Sequence, residues 1–193
     1  NNSKQNLTTY WTVSDGDSDP IKNITNWYRN NLSIYGLNMP FEKVSDSVIN
    51  ATKDYSGYDN NGSEQAGVLW NSSGGYDGQG AYDFDNSDDY ISLVGTSSTD
   101  FTDEDFSIFA WVYPNSNDAG IIYANRYEIS GTDSGWMFGL DASGTVDFDI
   151  NGDNDNAVES TATDAYVANK WQHIGVVKQG TTQMYYVDGV NTE

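Results

Sequence analysis

Oxygen-bearing side chains are concentrated in one short loop, which is the part of this sequence best suited to chemistry. Asp54, Ser56, Asp59 and Asn60 follow one another with only Tyr and Gly between them. Carboxylate, hydroxyl and amide oxygens at loop spacing are the ligands that Ca²⁺ prefers in proteins. The same residue types also favour a turn that is held by side-chain hydrogen bonds without a metal. From the residues alone, a Ca²⁺ site and a metal-free turn both stay open.

Two other acidic stretches are weaker candidates for a cation site. Residues 149–155 begin like an EF-hand loop, but they lack the Gly at position 6 and the Glu at position 12 that such a loop requires. The Asn151-Gly152 pair within them is typical of a tight hairpin. Asp15, Asp17 and Asp19 form a third acidic turn. For both stretches the residues favour a turn over a bound ion.

Carboxylate and histidine catalysis find little support in the sequence. A retaining glycosidase needs two carboxyl groups about 5 Å apart, and the six glutamates are never close to one another along the chain. Asp147 and Asp149 share a strand face, and we expect both to be outward and solvated. His173 is the single histidine. We predict that it packs against its neighbours with one hydrogen bond, and that the chain is not an enzyme.

Seven Asn-x-Ser/Thr sequons lie in the first 73 residues, and the nine later asparagines form none. A single sequon is a weak motif, but this uneven distribution predicts glycans on at least some of the sites. The glycosylation candidates are Asn1, Asn6, Asn23, Asn31, Asn50, Asn61 and Asn71. We therefore expect contacts with partners to come from the later part of the chain, where glycans would not interfere.

The composition limits the partners of the chain. Its net charge is −21 at pH 7, with only 8 Lys and Arg against 29 Asp and Glu. Such a surface repels nucleic acid and anionic lipid and attracts cations. There are no cysteines, which excludes disulfides and thiolate sites. No apolar run is long enough to span a membrane, and no signal peptide is present, so we expect mature or internal sequence.

The strand pattern predicts an all-β protein. Short segments rich in aromatic and β-branched residues recur between turns of Gly, Asn, Asp and Ser, and no segment keeps a helical period. Residues 37–42 and 106–113 are examples, and 106, 108, 110 and 112 should face a core together with 146, 148, 150, 174 and 176. Tyr123, Tyr127 and Trp136 flank a loop and could stack on sugars, but we favour a place in the core.

The first 33 residues differ in pattern from the rest of the chain. Residues 7–13 and 24–29 have strand composition and are separated by an Asp/Gly-rich turn. The stretch from Trp27 to Asn30 resembles the early strands of immunoglobulin-like repeats in bacterial and archaeal surface proteins. Residues 1–33 are thus expected to be a β-strand arm or part of an immunoglobulin-like module, because two or three strands do not fold alone.

The remaining chain, residues 34–193, resembles laminin-G-like domains of the concanavalin A-like superfamily. Residues 80–91, 106–112, 171–177 and 185–190 match the motifs of that family in order, and Asp54 to Gly57 matches a loop near its first strand. The resemblance implies a two-sheet antiparallel jelly-roll sandwich, and it implies that the 54–61 loop often holds a structural Ca²⁺. The nearest relatives in character are archaeal and bacterial surface proteins.

The resemblance also implies a role at the cell surface. The first hypothesis is a non-catalytic extracellular structural or adhesive subunit of an S-layer, adhesin or filament, whose partners are copies of itself or neighbouring surface modules. The alternative is a Ca²⁺-dependent carbohydrate-binding lectin module. The family pattern continues beyond Val190 with closing strands that are not in this sequence. They are expected either further along the same polypeptide or from another subunit, whose residues 7–13 could supply a strand.

Overall fold

The structure is a computed structural model that describes residues 8–17, 21–94, 97–101, 104–129, 132–150, 158–159 and 165–192. At 97, 126–129, 132–134 and 158–159 it describes the backbone. The described chain is all β apart from one 3-10 turn at Ser97–Thr99. In this part of the chain, no helix has the length and apolar character needed to cross a bilayer.

The strands are mostly short, as their frequent turn residues predict. In chain order they are β1 Tyr28–Arg29, β2 Leu32–Ser33, β3 Gly62–Gln65, β4 Leu69–Asn71, β5 Ala81–Asp83, β6 Tyr90–Leu93, β7 Phe106–Val112, β8 Gly120–Ile129, β9 Thr132–Leu140, β10 Val146–Ile150, β11 Val158–Glu159, β12 Gln172–Gln179, β13 Thr182–Val187 and β14 Val190–Asn191.

Two four-stranded antiparallel sheets form the sandwich. The first sheet has the order β14-β13-β12-β7, and the second has the order β11-β10-β9-β8. In the first sheet Ile174 pairs with Ala110 and with Val187, which places these three side chains on one face. In the second sheet Phe148 pairs with Phe138, so both rings also share a face.

The core lies between these two faces. Trp136, Phe138, Val146 and Phe148 come from the second sheet and meet Ile174, Val176, Tyr185 and Val187 of the first. The prediction for the inward residues is confirmed: Val146, Phe148, Ile174 and Val176 are buried, and Phe106, Ile108, Val112 and Ile150 are partly buried and pack against them. The strict alternation of β7 and β10 therefore identified the core correctly.

Three strand predictions in the first 42 residues differ from the structure. Residues 37–42 are irregular, because Pro40 has no amide hydrogen to donate and Phe41 has a left-handed φ of 58°. Residues 8–13, the described part of the predicted N-terminal strand, form no strand. Only Tyr28–Arg29 of the predicted second strand is extended and paired, because Asn30 and Asn31 turn the chain with φ of 52° and 64°.

Candidate functional site

The predicted Ca²⁺ loop folds around the buried carboxylate of Asp54, which is 2% exposed. Its Oδ1 accepts hydrogen bonds from the amides of Asn38 at 2.9 Å and Ser56 at 2.8 Å. Its Oδ2 accepts from the Ser56 hydroxyl at 2.6 Å and from the Asn60 amide at 3.1 Å. Four donors already surround this carboxylate, so the loop has the geometry of the metal-free turn.

These contacts change the acidity of Asp54. Burial by itself would raise its pKa, but the Ser56 hydroxyl and the three amides together outweigh burial and lower the pKa. Ser56 and Asn60 are buried beside it, and the side-chain Nδ2 of Asn60 donates to the Gly36 carbonyl at 2.9 Å. Asp59 is exposed, with a φ of 59°. Three of the four predicted ligands thus come together, and Ca²⁺ binding by this loop stays a prediction.

A second group of carboxylates was not predicted from the sequence. Asp85, Asp88 and Asp89 offer oxygen atoms within 4.8 Å of one another in the turn between β5 and β6. The Asp89 carboxylate accepts the Asp85 amide at 3.0 Å, which draws the turn together. The sequence feature that could have predicted this group is the presence of three aspartates within five residues. Carboxylate oxygens are the ligand type that a hard cation takes.

The other acidic candidates fall into three groups. Asp15 and Asp17 are exposed, and Asp19 lies outside the described residues, as do positions 151–155 of the EF-hand-like stretch. The expectation that Asp147 and Asp149 are solvated is wrong for Asp149, which is 5% exposed. The reason is that β10 is an inner strand with β9 and β11 on its two sides. Asp149 therefore lies beside Met137 of β9 instead of at an open edge.

Two buried glutamates lie near β5, although they are distant in sequence. The Glu42 carboxylate accepts the Gly80 amide at 3.1 Å and pairs with Lys22. Glu64 pairs with Lys43 at 2.7 Å and accepts the Tyr82 hydroxyl at 3.0 Å. Burial, followed by the contact with Glu64, raises the pKa of Tyr82. Each carboxylate is therefore engaged by a lysine and a second donor, an arrangement typical of a structural network.

His173 lies on the face of β12 that points away from the core. Its ring is stacked on Phe109 at 5.3 Å between centroids and also contacts Trp111 at 5.1 Å. Its backbone amide donates to the Asp188 carboxylate at 3.0 Å. Burial lowers the pKa of His173, and the charge of Asp188 opposes that shift. The ring packs among aromatic neighbours as predicted, and a hydrogen bond of the imidazole stays a prediction.

The rings around His173 form what we call the aromatic face, the outward side of the first sheet. It consists of Phe109 and Trp111 of β7, His173 of β12 and Tyr186 of β13, with Tyr76 added from the β4–β5 turn. Tyr76 stacks on Trp111 at 3.5 Å with 13° between the ring planes. Phe109, Trp111 and Tyr76 are 47%, 43% and 56% exposed. The rings therefore remain accessible while they support one another.

A glycine lets these rings lie close to the sheet. Gly175 stands opposite Phe109 on β7 and Tyr186 on β13. A Cβ at Gly175 would meet the Phe109 ring at 2.1 Å, so that ring occupies the space which any other residue would fill. The Phe109 and His173 rings differ by only 8° in orientation. The face is built as a shallow stack of rings because residue 175 has no side chain.

The aromatic face is also free of formal charge. The strand registers place on it Ser107, Phe109, Trp111, His173, Gly175, Val177, Gln179, Thr182, Met184, Tyr186 and Asn191. None of these residues is Asp, Glu, Lys or Arg, in a chain of which 19% is charged and whose net charge is −21. The exposed apolar part of this face consists of the rings of Phe109, Trp111 and Tyr76, and clustered exposed rings on an otherwise polar protein mark an interaction site.

The aromatic residues singled out from the sequence lie elsewhere. Trp136 is 1% exposed and Tyr123 is partly buried, with the two rings 4.8 Å apart in the core. The preference for a core position is therefore confirmed for both, and the side chain of Tyr127 lies outside the described residues. The alternation of β7, which puts 109 and 111 opposite the core positions, was the signal that could have identified the aromatic face.

The described sequons are mostly open to solvent. Asn23, Asn31, Asn50 and Asn71 are exposed, and Asn1 and Asn6 lie outside the described residues. Asn61 is partly buried, and its side-chain oxygen accepts the Asp54 amide at 2.9 Å. Every residue of the aromatic face follows the last sequon in the chain. Glycans on these sites would thus be attached to an earlier stretch of the chain than the one that forms the aromatic face.

Comparison with known proteins identifies the family. The sequence model of the laminin-G-type branch, described as the concanavalin A-like lectin/glucanases superfamily, matches residues 85–193. A search of curated proteins and a search of solved structures found no match. The matched residues include both four-stranded sheets and all of the aromatic face except Tyr76. Laminin-G-like domains are typically extracellular, and concanavalin A-like domains often bind Ca²⁺. This chain belongs to the concanavalin A-like lectin/glucanase superfamily.

Proposed function

We propose that this chain is a non-catalytic adhesive domain of an extracellular surface protein, and that it binds its target through the aromatic face. The observation that carries this proposal is the absence of charged side chains from that face. Exposed rings of Phe, Tyr and Trp contribute large contact areas at a small cost in conformational entropy, and they dominate binding surfaces for that reason. The acidic remainder of the surface disfavours anionic partners.

Carbohydrate binding is the second candidate, and the flatness of the face favours it. Near-parallel rings such as Tyr76 on Trp111 and Phe109 on His173 offer planar surfaces to the apolar side of a sugar ring. The rim supplies polar groups, among them Lys170 and Asp188, which pair at 3.1 Å. Neutral glycans fit the absence of charge better than acidic glycans do.

Calcium belongs to this second candidate as a stabilising ion. Asp85, Asp88 and Asp89 support this candidate, because their carboxylate oxygens lie within 4.8 Å of one another. The Asp54 carboxylate already accepts four hydrogen bonds from the protein. Ca²⁺ that binds only the folded chain raises the free energy of unfolding. Saturating Ca²⁺ should therefore raise the melting temperature, and chelator should reverse the effect. Asp88→Asn should reduce the shift and Asp59→Asn should leave it unchanged.

A non-catalytic role is supported by the state of the buried carboxylates. Glu42 and Glu64 each contact a lysine and a hydrogen-bond donor in the protein. A glycosidase requires one carboxyl group that donates a proton and a second that attacks or activates water. Carboxylates held in ion pairs are poorly placed for either task. The chain should release no reducing sugar from any polysaccharide that it binds.

The surface role extends to the remaining sequence features. Four exposed sequons and the acidic surface support an extracellular glycoprotein. An adhesin, an S-layer subunit and a filament component all fit this description. An archaeal or bacterial origin and an immunoglobulin-like module in residues 1–33 stay predictions from the sequence resemblance.

A retention experiment tests the proposed function. Purified protein would be incubated with insoluble neutral polysaccharides such as cellulose and chitin, with acidic alginate beads, and with isolated cell envelopes. We expect retention on at least one neutral matrix or on envelopes, and a loss of about 10-fold in affinity for Trp111→Ala, since aromatic anchors dominate binding energy. The matched control is Ile121→Ala, an exposed apolar residue of the second sheet. Equal loss in both variants would refute a role for the aromatic face.

A further inference from the structure

The four outer strands of the two sheets differ in how well they are protected from pairing with another chain. β14 has only two residues, and β8 has a register shift between Ile121 and Tyr123. Short strands, irregular register and charges are the devices that block strand addition. β7 has seven residues, no charge, no proline and no register shift. β7 is therefore a described edge that none of these devices protects.

Space for an added strand exists beside the start of β7. Phe106 and Ser107 line a cleft of about 460 Å³ together with residues 33–36 and Asp105. Tyr58 and Phe101 also line it, so the cleft has an aromatic lining as well as the strand edge. In the described chain β7 pairs with β12 alone, and its other edge has no strand partner. An extended segment could therefore find both backbone partners and apolar contacts there.

The chain itself contains a segment with the matching chemistry. Residues 8–13 are Thr, Thr, Tyr, Trp, Thr and Val, all of which have high strand propensity, and none carries charge. The segment forms no strand and no backbone hydrogen bond with another described residue. Tyr10 is 91% exposed, Trp11 54% and Val13 45%. A segment so suited to a sheet is left exposed, and its length is close to that of β7.

We propose that residues 8–13 of one copy of this chain add as a strand to the free edge of β7 in a second copy. Residues 8–13 and the strand β7 carry no charge in a molecule of net charge −21, so these two segments repel each other little, although Asp105 also lines the cleft. The contact is heterologous, because the arm of one copy meets the edge of another. Such a contact repeats along a fibre unless the geometry closes a ring. The inference goes beyond the proposed adhesive function and does not depend on it.

The absence of cysteine allows a direct test with single-cysteine variants. Thr12→Cys protein would be mixed with Ser107→Cys protein and treated with a short bismaleimide cross-linker. We expect a cross-linked dimer of the two variants. Ser143→Cys, an exposed residue in the β9–β10 turn, replaces Ser107→Cys as the control and should yield no dimer with Thr12→Cys above background.

Two outcomes would overturn the proposal. One is equal cross-linking at Ser107→Cys and Ser143→Cys. The other is an intramolecular link in the Thr12→Cys/Ser107→Cys double variant that persists on dilution, because the arm would then pair with its own chain.

Proline substitutions test the strand geometry independently. In an extended strand the backbone N–H groups of Thr9 and Thr12 point to opposite edges, so only one of them can donate to β7. Because proline removes the N–H group, only one of Thr9→Pro and Thr12→Pro should weaken self-association, by about 10-fold. Equal effects of the two would contradict strand addition.

Discussion

The outward faces of the two sheets share one core and yet have opposite chemistry. The first sheet presents Phe109, Trp111 and Tyr186 and no charged residue. The outward positions of the inner strand β10 in the second sheet are acidic: Asp147 is partly buried and Asp149 is buried. The inward residues of both sheets follow the same alternation, so the core does not determine what the outward positions carry. The difference shows that the chemistry of a sandwich face is independent of the packing that supports it.

The largest expected effect tests the core that both faces share. Phe148 is fully buried between the sheets and contacts Phe106 at 5.2 Å between ring centroids. Phe148→Ala should lower the free energy of unfolding by about 4 kcal/mol, because it removes buried area and leaves a cavity. Urea denaturation measures this loss, and Ile121→Ala, at a residue 67% exposed, is the control. A loss below about 1 kcal/mol would mean that the two sheets do not share this core.

The next largest effect is the difference in stability cost between replacing a buried aspartate and replacing an exposed one. Asp54→Asn replaces a carboxylate that accepts four hydrogen bonds and should cost about 3 kcal/mol of unfolding free energy, whereas exposed Asp59→Asn should cost little. The folded pKa of Asp54 is below its unfolded value of about 3.9. Its stabilisation is thus complete above that pH and is lost as the pH falls through the folded pKa. Acid unfolding that is unchanged in Asp54→Asn would contradict this role.

A smaller effect tests how the rings of the aromatic face are seated. Gly175→Ala places a Cβ at 2.1 Å from the Phe109 ring, so the ring must move. We expect a loss of about 1–3 kcal/mol in unfolding free energy, the usual cost of overpacking. Gly120→Ala on the second sheet is the matched control, because a Cβ there meets nothing within 4 Å. Equal stability of the two variants would show that Phe109 does not lie over Gly175.

The smallest effect is a pH dependence that comes from His173. Burial between the aromatic rings lowers its pKa in the folded chain, against the opposing charge of Asp188. A histidine with a lowered folded pKa binds more protons when unfolded, so stability falls as the pH drops through about 6.5 towards the folded pKa. His173 is the only histidine. Thermal melts between pH 8 and pH 5.5 should show this slope, and His173→Phe should flatten it; an identical slope in the variant would exclude His173 as its source.

The sequence predicted the fold well where strands alternate and poorly where polar side chains organise the chain. The pattern of β7 and β10 identified the inward residues and the sandwich. Residues 37–42 were predicted as a strand, but the left-handed Phe41 and the side chain of Asp54 determine that region. β3, Gly62–Gln65, was missed because it is polar, and it is held by pairing with β6. Such pairings join distant residues, and a local pattern carries no information about them.

The candidate sites show the same limit. The oxygen-rich loop at Asp54 was found, but its donors include the amide of Asn38, which no motif would name. Glu42 and Glu64 are distant in sequence and still contact neighbouring residues, Gly80 just before β5 and Tyr82 within it. The aromatic face was available from the alternation of β7, but its completion by Tyr76 depends on how the β4–β5 turn folds back onto Trp111. Long-range placement, and not residue type, was the missing information.

The most direct test of the central claim is the salt dependence of target binding by the wild-type chain. The affinity of the chain for the matrix that retains it would be measured at about 0.1 M and at about 1 M NaCl. Between these concentrations the Debye length falls from about 10 Å to about 3 Å. Contacts through an uncharged aromatic face are not screened and are slightly strengthened by excluded salts. We predict an affinity that stays within about threefold or rises, a difference below about 1 kcal/mol. A fall of more than about 10-fold would place binding on the acidic surface instead and would contradict the account.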